Sequence, residues 1–315
     1  MATISEFSFS QNALVARDLP FHLTRTHARR EKKVCLLCEG EAQILFDKDG
    51  HDICLCTGCD YAFADYVPPA DHARRVYGEN YFFGGGAGYP DYLREGKILR
   101  AHGGRYGRLL SKFMKPGKVL DVGAAAGFVL QGLQDCGWRG AGLEPNPRMA
   151  HYAREALGLE VKNLVLEEYQ QDEQFDLINM TQVIAHFSDL RSALQNAARA
   201  TKMNGFWLIE TWNRASLVAR VLGRNWHEFS PPSVLHWFSP TCLRQLLAQY
   251  GLREVAVGRP SKRLASGHAK TLLQYKLSGN RVGRVAARML DLMPENIALP
   301  YPAWDLFWGL YQKVE

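Results

Sequence analysis

The stretch from Lys118 to Glu144 constrains this chain more than any other. Val119, Leu120, Asp121 and Val122 form a short apolar run with one acidic residue, and Gly123-Ala124-Ala125-Ala126-Gly127 follows with almost no side chain. A backbone so bare can come within contact distance of a ligand. Phe128, Val129, Leu130 and Leu133 then supply a helical apolar face, so the small-residue segment reads as a strand-to-helix turn, where unpaired amides gather around a polar ligand. Residues 140–143 read as the next strand, ending in Glu144-Pro145. Glu144 follows Asp121 at close to the roughly 20-residue interval at which an acidic strand end takes ribose hydroxyls. The pattern calls for an α/β fold and a ribose-bearing cofactor.

A dinucleotide site expects GxGxxG, and this turn has only Gly123 and Gly127, without the glycine that lets a pyrophosphate approach. A GxxxxGK[ST] loop for a nucleoside triphosphate is also missing. Instead VLDVGAAAGFVL resembles the first motif of class I S-adenosylmethionine-dependent methyltransferases: an apolar strand, an acidic residue and GxGxG, with Ala125 here in place of the middle glycine. The resemblance implies a Rossmann-like, seven-stranded methyltransferase sheet and S-adenosylmethionine as cofactor. It also implies Asp121, Gly123 and Gly127 at the methionine end, Glu144 at the ribose, Val165 and Leu166 near the adenine, and Ala125, Phe128, Pro145 and Gln182 among the cofactor-binding residues.

From about Tyr77 to the C-terminus the resemblance is nearly continuous. Residues 174–180 look like the fourth strand, residues 181–187 like the loop behind it, and residues 205–211 like the fifth strand. Ser239 is the N-cap and Pro240 the first turn of a helix that presents Leu243, Leu246, Leu247 and Tyr250 on one face, with Gly251 past its end. The segment from Trp226 to Phe238 looks like a subgroup acting on small molecules and sugars. The aromatic stretch from Trp304 to Val314 could suit a membrane or partner surface. We read residues 305–311 within it as a buried final strand, as the family's antiparallel C-terminal strand implies.

Upstream, Cys35-Leu-Leu-Cys38 and Cys56-Thr-Gly-Cys59 are two knuckles separated by the interval expected of a four-cysteine zinc site. Four thiolates fill a tetrahedral shell and leave no open position, so such a zinc ion is structural. Cys54 could replace Cys56 by proximity, but the CxxC spacing favours Cys56 with Cys59. A pair of disulfides is the alternative, disfavoured because the chain shows no apolar leader and reduced thiols are expected in the cytoplasm. Residues 42–47 and 51–55 flank Lys48-Asp49-Gly50, a hairpin signal, so the unit reads as a zinc ribbon too small to bury a core of its own.

The expected organisation is a basic leader over residues 1–33, the ribbon over 34–68 and a methyltransferase domain over 69–315, with a lid over 77–100. Tyr81, Tyr89 and Tyr92 sit in that lid beside the mobile-looking Gly84-Gly85-Gly86. At 315 residues and 47% apolar content the chain can bury a full α/β core plus a small module, and it has no run of about 18 apolar residues. We therefore expect a cytoplasmic protein without a membrane span; its oligomeric state is not legible. The net charge is only +6, yet Arg25, Arg29, Arg30, Lys32 and Lys33 cluster ahead of the ribbon. Such a run suits either a solvated leader or the phosphates of RNA.

The acceptor is constrained mostly by exclusion. Amino-group methylation of bases often uses [DN]PP[YF] after the fourth strand, whereas this chain has Asn179-Met180-Thr181-Gln182; Cys242 is poorly placed to be a cytosine-type nucleophile. His186 and His236 are the acid/base candidates, because a histidine near pKa 6.5 accepts a hydroxyl or carbon-acid proton at neutral pH. The expected function is methyl transfer to an oxygen, or next a carbon, of a small metabolite, sugar or lipid-linked or polyketide-like acceptor. The alternatives are an RNA methyltransferase that grips phosphates with ribbon and leader, and a binding protein that keeps the fold without the chemistry.

Overall fold

The structure, a computed structural model, describes residues 33–84, 89, 91–170, 172, 175–270 and 298–314. The expectations placed on the leader through Lys32, on Gly85 and Gly86 and on Gln174 lie outside the described residues.

The ribbon is built from β1 (Lys33–Val34), β2 (Glu41–Lys48), β3 (His51–Cys56) and β4 (Ala62–Ala64), all antiparallel. The turn between β2 and β3 has Asp49 at φ 51° and Gly50 at φ 83°. Two left-handed residues in a row match the right-handed twist of the flanking strands, which is why Asp-Gly serves there. The outer edge of β4 pairs with a segment far downstream, His236 opposite Phe63 and Trp237 opposite Ala62. Cys35, Ala42, Cys54, Cys56, Tyr61 and Phe63 thereby join the large core cluster of the main sheet. The ribbon gains its core by leaning on the rest of the chain.

After two short helices, α1 (His72–Val76) and α2 (Glu79–Phe83), comes α3 (Gly96–Leu110). Parallel strands then alternate with helices: β5 (Lys118–Val122), α4 (Phe128–Gln134), β6 (Arg139–Leu143), α5 (Pro147–Glu155), β7 (Glu160–Lys162), β8 (Phe175–Thr181), α6 (Leu190–Ala200) and β9 (Thr201–Trp212). Next are α7 (Leu217–Leu222), β10 (His236–Trp237), α8 (Pro240–Ala248), β11 (Leu252–Gly258), β12 (Arg263–Ala265), β13 (Ala298–Pro300) and β14 (Leu306–Lys313). Among the described residues the main sheet has seven strands, in the order β11-β14-β9-β8-β5-β6-β7. The fold is thus the expected Rossmann-like sheet, with β14 running antiparallel between β9 and β11. Residues 305–311 are buried or half-buried as expected, while Trp304 stands before β14 and is 65% exposed.

Alternation along the strands divides the core between the two faces. Leu120, Ile178, Met180, Trp207 and Ile209 pack on the side of α6 and α8, while Val119, Leu177, Phe206, Leu208 and Leu310 pack on the side of α3, α4 and α5. Side-chain caps start the helices: Asn146 accepts from the N–H groups of Arg148 and Met149, Asp189 from Ser192, and Ser239 from Cys242. Among the described residues no helix is long and apolar enough to cross a membrane.

Helices α3 and α4 touch backbone to backbone. A Cβ on Gly103 would stand 2.1 Å from the Val129 carbonyl oxygen, and one on Gly132 would stand 2.0 Å from that of Arg100. Because neither neighbour is a flexible side chain, a methyl group there must part the helices. Gly132→Ala is therefore expected to destabilise the protein by about 1–3 kcal/mol, the usual cost of overpacking, read as a lower midpoint in urea unfolding; an unchanged midpoint would show that the helices can separate freely.

Candidate functional site

A cavity of about 170 Å³ opens at the carboxyl ends of β5, β6, β8 and β9, where open α/β sheets bind their ligands. Asp121, Gly123, Ala125, Glu144, Pro145, Val165, Leu166, Gln182 and His186 all line it. Tyr81, Tyr89 and Tyr92 form an aromatic wall with Tyr77 and Phe82, in edge-on contacts with ring centroids 4.7–6.0 Å apart.

Two residues expected at the cofactor stand behind the cavity wall. Gly127, at φ 85°, starts α4, and a Cβ on it would fall 2.4 Å from Leu159 Cδ1. Its lack of a side chain serves helix-to-sheet packing. Phe128 is buried between Gly96, Tyr92 and Tyr152, so it supports the aromatic wall from the rear. Ala125 does line the cavity and holds φ 48°. Its N–H donates to Glu144 Oε2 at 2.8 Å, so the left-handed turn aims this amide at the carboxylate.

The two acidic strand ends are desolvated. Asp121 is 2% exposed; its Oδ1 accepts from Asn179 Nδ2 at 2.6 Å and its Oδ2 has no hydrogen-bond partner. Burial pushes its pKa up to about 7 against the downward pull of the Asn179 amide and the Leu130 N–H. Glu144 accepts from the Ala125 and Asn146 amides, yet burial raises it to about 7 as well. An unpartnered carboxylate oxygen beside a ribose-type acceptor and bare backbone fits a ligand that carries both hydroxyls and positive charge. S-adenosylmethionine has both.

The two histidines fare differently. His186 lines the cavity, and its Nδ1–H donates to the Ser233 carbonyl at 2.8 Å. Nε2 is left with the lone pair, and burial holds the pKa below the ordinary histidine value. His236 lies outside the cavity lining and is 4% exposed. Its Nε2–H donates to the Phe187 carbonyl at 2.8 Å, so Nδ1 accepts from the Tyr61 hydroxyl at 2.5 Å. With both nitrogens engaged and its pKa pushed down to about 4 by burial, His236, expected as an acid/base group, stands outside the cavity lining and apart from His186.

A polar cluster in the cavity was missed by sequence reading. Glu210, fully buried near the end of β9, accepts from His102 Nε2 at 2.8 Å, from Gln182 Nε2 at 2.7 Å and from the Tyr106 hydroxyl. Burial opposes ionisation, but the hydrogen bonds from His102 and Tyr106 and the nearby charge of Lys262 win and hold its pKa at about 2. Arg105 can only donate to His102 Nδ1, at 3.1 Å, which fixes the proton of His102 on Nε2. The available signals were a lone acid directly after the apolar run Trp207-Leu208-Ile209 and a His and Tyr one helical turn apart. Glu167, also on the cavity wall, accepts from the Ser188 N–H and is raised by burial.

At the ribbon, the Sγ atoms of Cys35, Cys38, Cys56 and Cys59 all lie within 4.8 Å of one another. Cys35 to Cys59 is 3.6 Å and Cys38 to Cys56 is 3.4 Å. A tetrahedron with Zn–S bonds of about 2.3 Å has edges of about 3.8 Å, so the set fits zinc. Backbone amides of Leu37, Gly58 and Cys59 point at the sulfurs of Cys35 and Cys56. Cys54 stays out of this group, fully buried and raised to about 11 by burial.

Comparison with known proteins identifies the family. The family model of the methyltransferase domain matches residues 99–257, and the chain belongs to that family. The ubiquinone biosynthesis O-methyltransferase of Rhodopseudomonas palustris is 26% identical over 137 residues, 38% of this chain and 54% of the relative. That of Actinobacillus pleuropneumoniae is 25% identical over 153 residues, 40% of this chain and 65% of the relative. The chain thus spans little more than half the length of the first of these. Among solved structures, the 1,6-didemethyltoxoflavin-N1-methyltransferase of Burkholderia thailandensis, with bound 1,6-didemethyltoxoflavin and S-adenosylhomocysteine, superposes with TM-score 0.49 at 14% identity, over 87% of this chain and 100% of that one.

The left-handed Ala125 makes a backbone prediction. Its conformation costs a residue with a Cβ about 1–2 kcal/mol, whereas glycine at the same place loses about 0.4–1 kcal/mol through the unfolded chain. Ala125→Gly is expected to leave stability unchanged or raise it by up to about 1 kcal/mol in urea unfolding; a clear destabilisation would mean that the methyl group contributes packing that outweighs the strain.

Proposed function

We propose that this chain transfers a methyl group from S-adenosylmethionine to an oxygen, or failing that a carbon, of a small metabolite, sugar or lipid-linked or polyketide-like acceptor, with His186 as the base. The observation that carries the reading is the tautomer of His186. A ring that lines the cavity and commits its Nδ1–H to Ser233 keeps its lone pair on Nε2, which is what removing a hydroxyl proton requires. The naming of the matched relatives as ubiquinone biosynthesis O-methyltransferases supports oxygen as the acceptor atom.

Each wall of the cavity has a part in this reading. Asp121 and the small-residue turn at Gly123 hold the methionine end, Glu144 takes the ribose hydroxyls, and Val165, Leu166 and Glu167 flank the adenine. When bound, the cofactor supplies a methyl group already activated on a sulfonium. The protein's remaining tasks are alignment and proton removal. The tyrosine wall excludes water from one side of the acceptor, and the anchored Glu210 keeps Gln182 at the other. The four cysteines hold a structural zinc ion, since four thiolates leave no position open for substrate.

Methyl transfer from labelled S-adenosylmethionine into host extract, separated into RNA, glycan and small-molecule fractions, tests the acceptor class. Label confined to RNA would overturn the small-acceptor reading. In the fraction that takes label, His186→Gln is expected to lower the rate by about 100-fold or more while S-adenosylhomocysteine binding stays unchanged in calorimetry. The sign of the pH dependence follows from the lowered pKa: His186 is neutral and competent above it, so the rate should fall only as pH drops below the ordinary histidine value of 6.5. An acid limb above that value would point to another base. Separately, Cys38→Ser should lose the bound zinc and unfold at lower temperature; a variant that still carries one full equivalent would remove Cys38 from the ligand set.

A further inference from the structure

Tyr61 and His236 are two polar rings at the seam between ribbon and main sheet, and the proposed chemistry uses neither. Both are fully or nearly fully buried, at 0% and 4% exposure, in an otherwise apolar setting: Tyr61 stacks between Phe63 and His236, with Phe238 tilted beside it. Burying two polar groups here is costly unless each is hydrogen-bonded, and purely apolar side chains would pack the seam at least as well. Their bonds lead somewhere specific. The Tyr61 hydroxyl donates to His236 Nδ1, and His236 Nε2–H donates to the carbonyl of Phe187, the residue next to His186.

The same short segment holds His186 from its other side. Ser233, three residues before His236, presents the carbonyl that accepts from His186 Nδ1 and also from the Tyr77 hydroxyl at 2.7 Å. Between these two anchors the backbone is bonded in both directions: Leu235 N–H donates to the Ala185 carbonyl, and the Leu235 carbonyl accepts from Ala64 N–H of β4. The turn that carries His186 (Ile184–His186) therefore hangs on one strand, and that strand hangs on the ribbon. Tyr61 in turn follows Cys59 by two residues, and the intervening Asp60 is fastened to Arg214 and to the Ser239 hydroxyl at 3.2 Å.

We propose that Tyr61 and His236 are positioning residues for His186, so that the closed ribbon holds the ring of the base in its Nδ1–H form facing the cavity. This rests on the reading of His186 as base. The ribbon acts through orientation: with the Tyr61 hydroxyl in place, His236 keeps its proton on Nε2 and grips the Phe187 carbonyl, and the turn cannot rotate His186 away from Ser233. Without that hydroxyl His236 Nδ1 is a buried acceptor with no donor. The ring escapes that cost only by turning toward another donor, and turning it breaks the bond to Phe187.

The test uses the full-length, metal-loaded protein with ¹⁵N-labelled histidine. In the wild type, nitrogen shifts should show His186 as a single Nδ1–H tautomer and His236 as a single Nε2–H tautomer. Tyr61→Phe keeps the ring stacking and removes the hydroxyl. It is expected to abolish both single-tautomer signatures and to lower methyl transfer into the labelled extract fraction by roughly tenfold or more, with zinc content and S-adenosylhomocysteine affinity unchanged. An unaltered His186 signature in this variant overturns the proposal. Should Tyr61→Phe lose metal or fail to fold, the comparison of His236→Gln with His236→Leu carries the test. The Gln amide can accept from Tyr61 and donate to Phe187, so it should keep the His186 signature that Leu loses; identical signatures in the two overturn the proposal. If the signatures change as expected but His186→Gln is fully active, the positioning stands and the base assignment fails.

Discussion

The structure turns on the two-sided hydrogen bonding of the segment from Ser233 to Trp237. One side of it pairs with ribbon strand β4, and the other reaches the turn after β8 through Leu235 and His236. A ribbon of this size cannot bury a core alone. Here it does not have to, because Tyr61, Phe63 and three of its cysteines pack into the same apolar cluster as α6, α8 and the central strands. Cysteine cluster and cavity are in this way two ends of one packed body. A change at either end must be absorbed by the same few backbone bonds.

The second organising constraint is close approach. α3 and α4 meet through Gly103 and Gly132, which brings His102 and Tyr106 of α3 over the end of β9, where they grip Glu210. A wider helix spacing would strand that carboxylate, and an unpaired charge in such a place is strongly destabilising. Close packing of small residues is thus the reason a fully buried acid can remain ionised in this fold.

Much of this was legible in the sequence, and the reasons are local. Strand, turn and helix at Lys118 to Leu133, the four-cysteine spacing, the Asp-Gly hairpin and the Ser239-Pro240 helix start are patterns between near neighbours, set by backbone chemistry that a few residues declare. The same holds for most of the cavity wall, since Asp121, Glu144 and Gln182 stand at strand ends that the pattern itself locates. What the sequence hid was pairing over long separations. His236 reads like any loop histidine until Tyr61 arrives across the seam, and Glu210 reads as an oddity in an apolar strand until α3 covers it. Gly127 and Phe128 lie within the motif, yet they face the packing side of the helix, a distinction of a few tens of degrees that spacing alone does not carry.

The burial of Asp121 has a consequence for what the cavity can hold. A carboxyl poised at about 7 with one oxygen unpartnered attracts a cation more strongly as its proton leaves, so its hold on ligands sharpens across the neutral range. A sulfonium carries a charge that the corresponding thioether lacks. Beside an ionised Asp121 the spent molecule would be held less firmly than the one that entered.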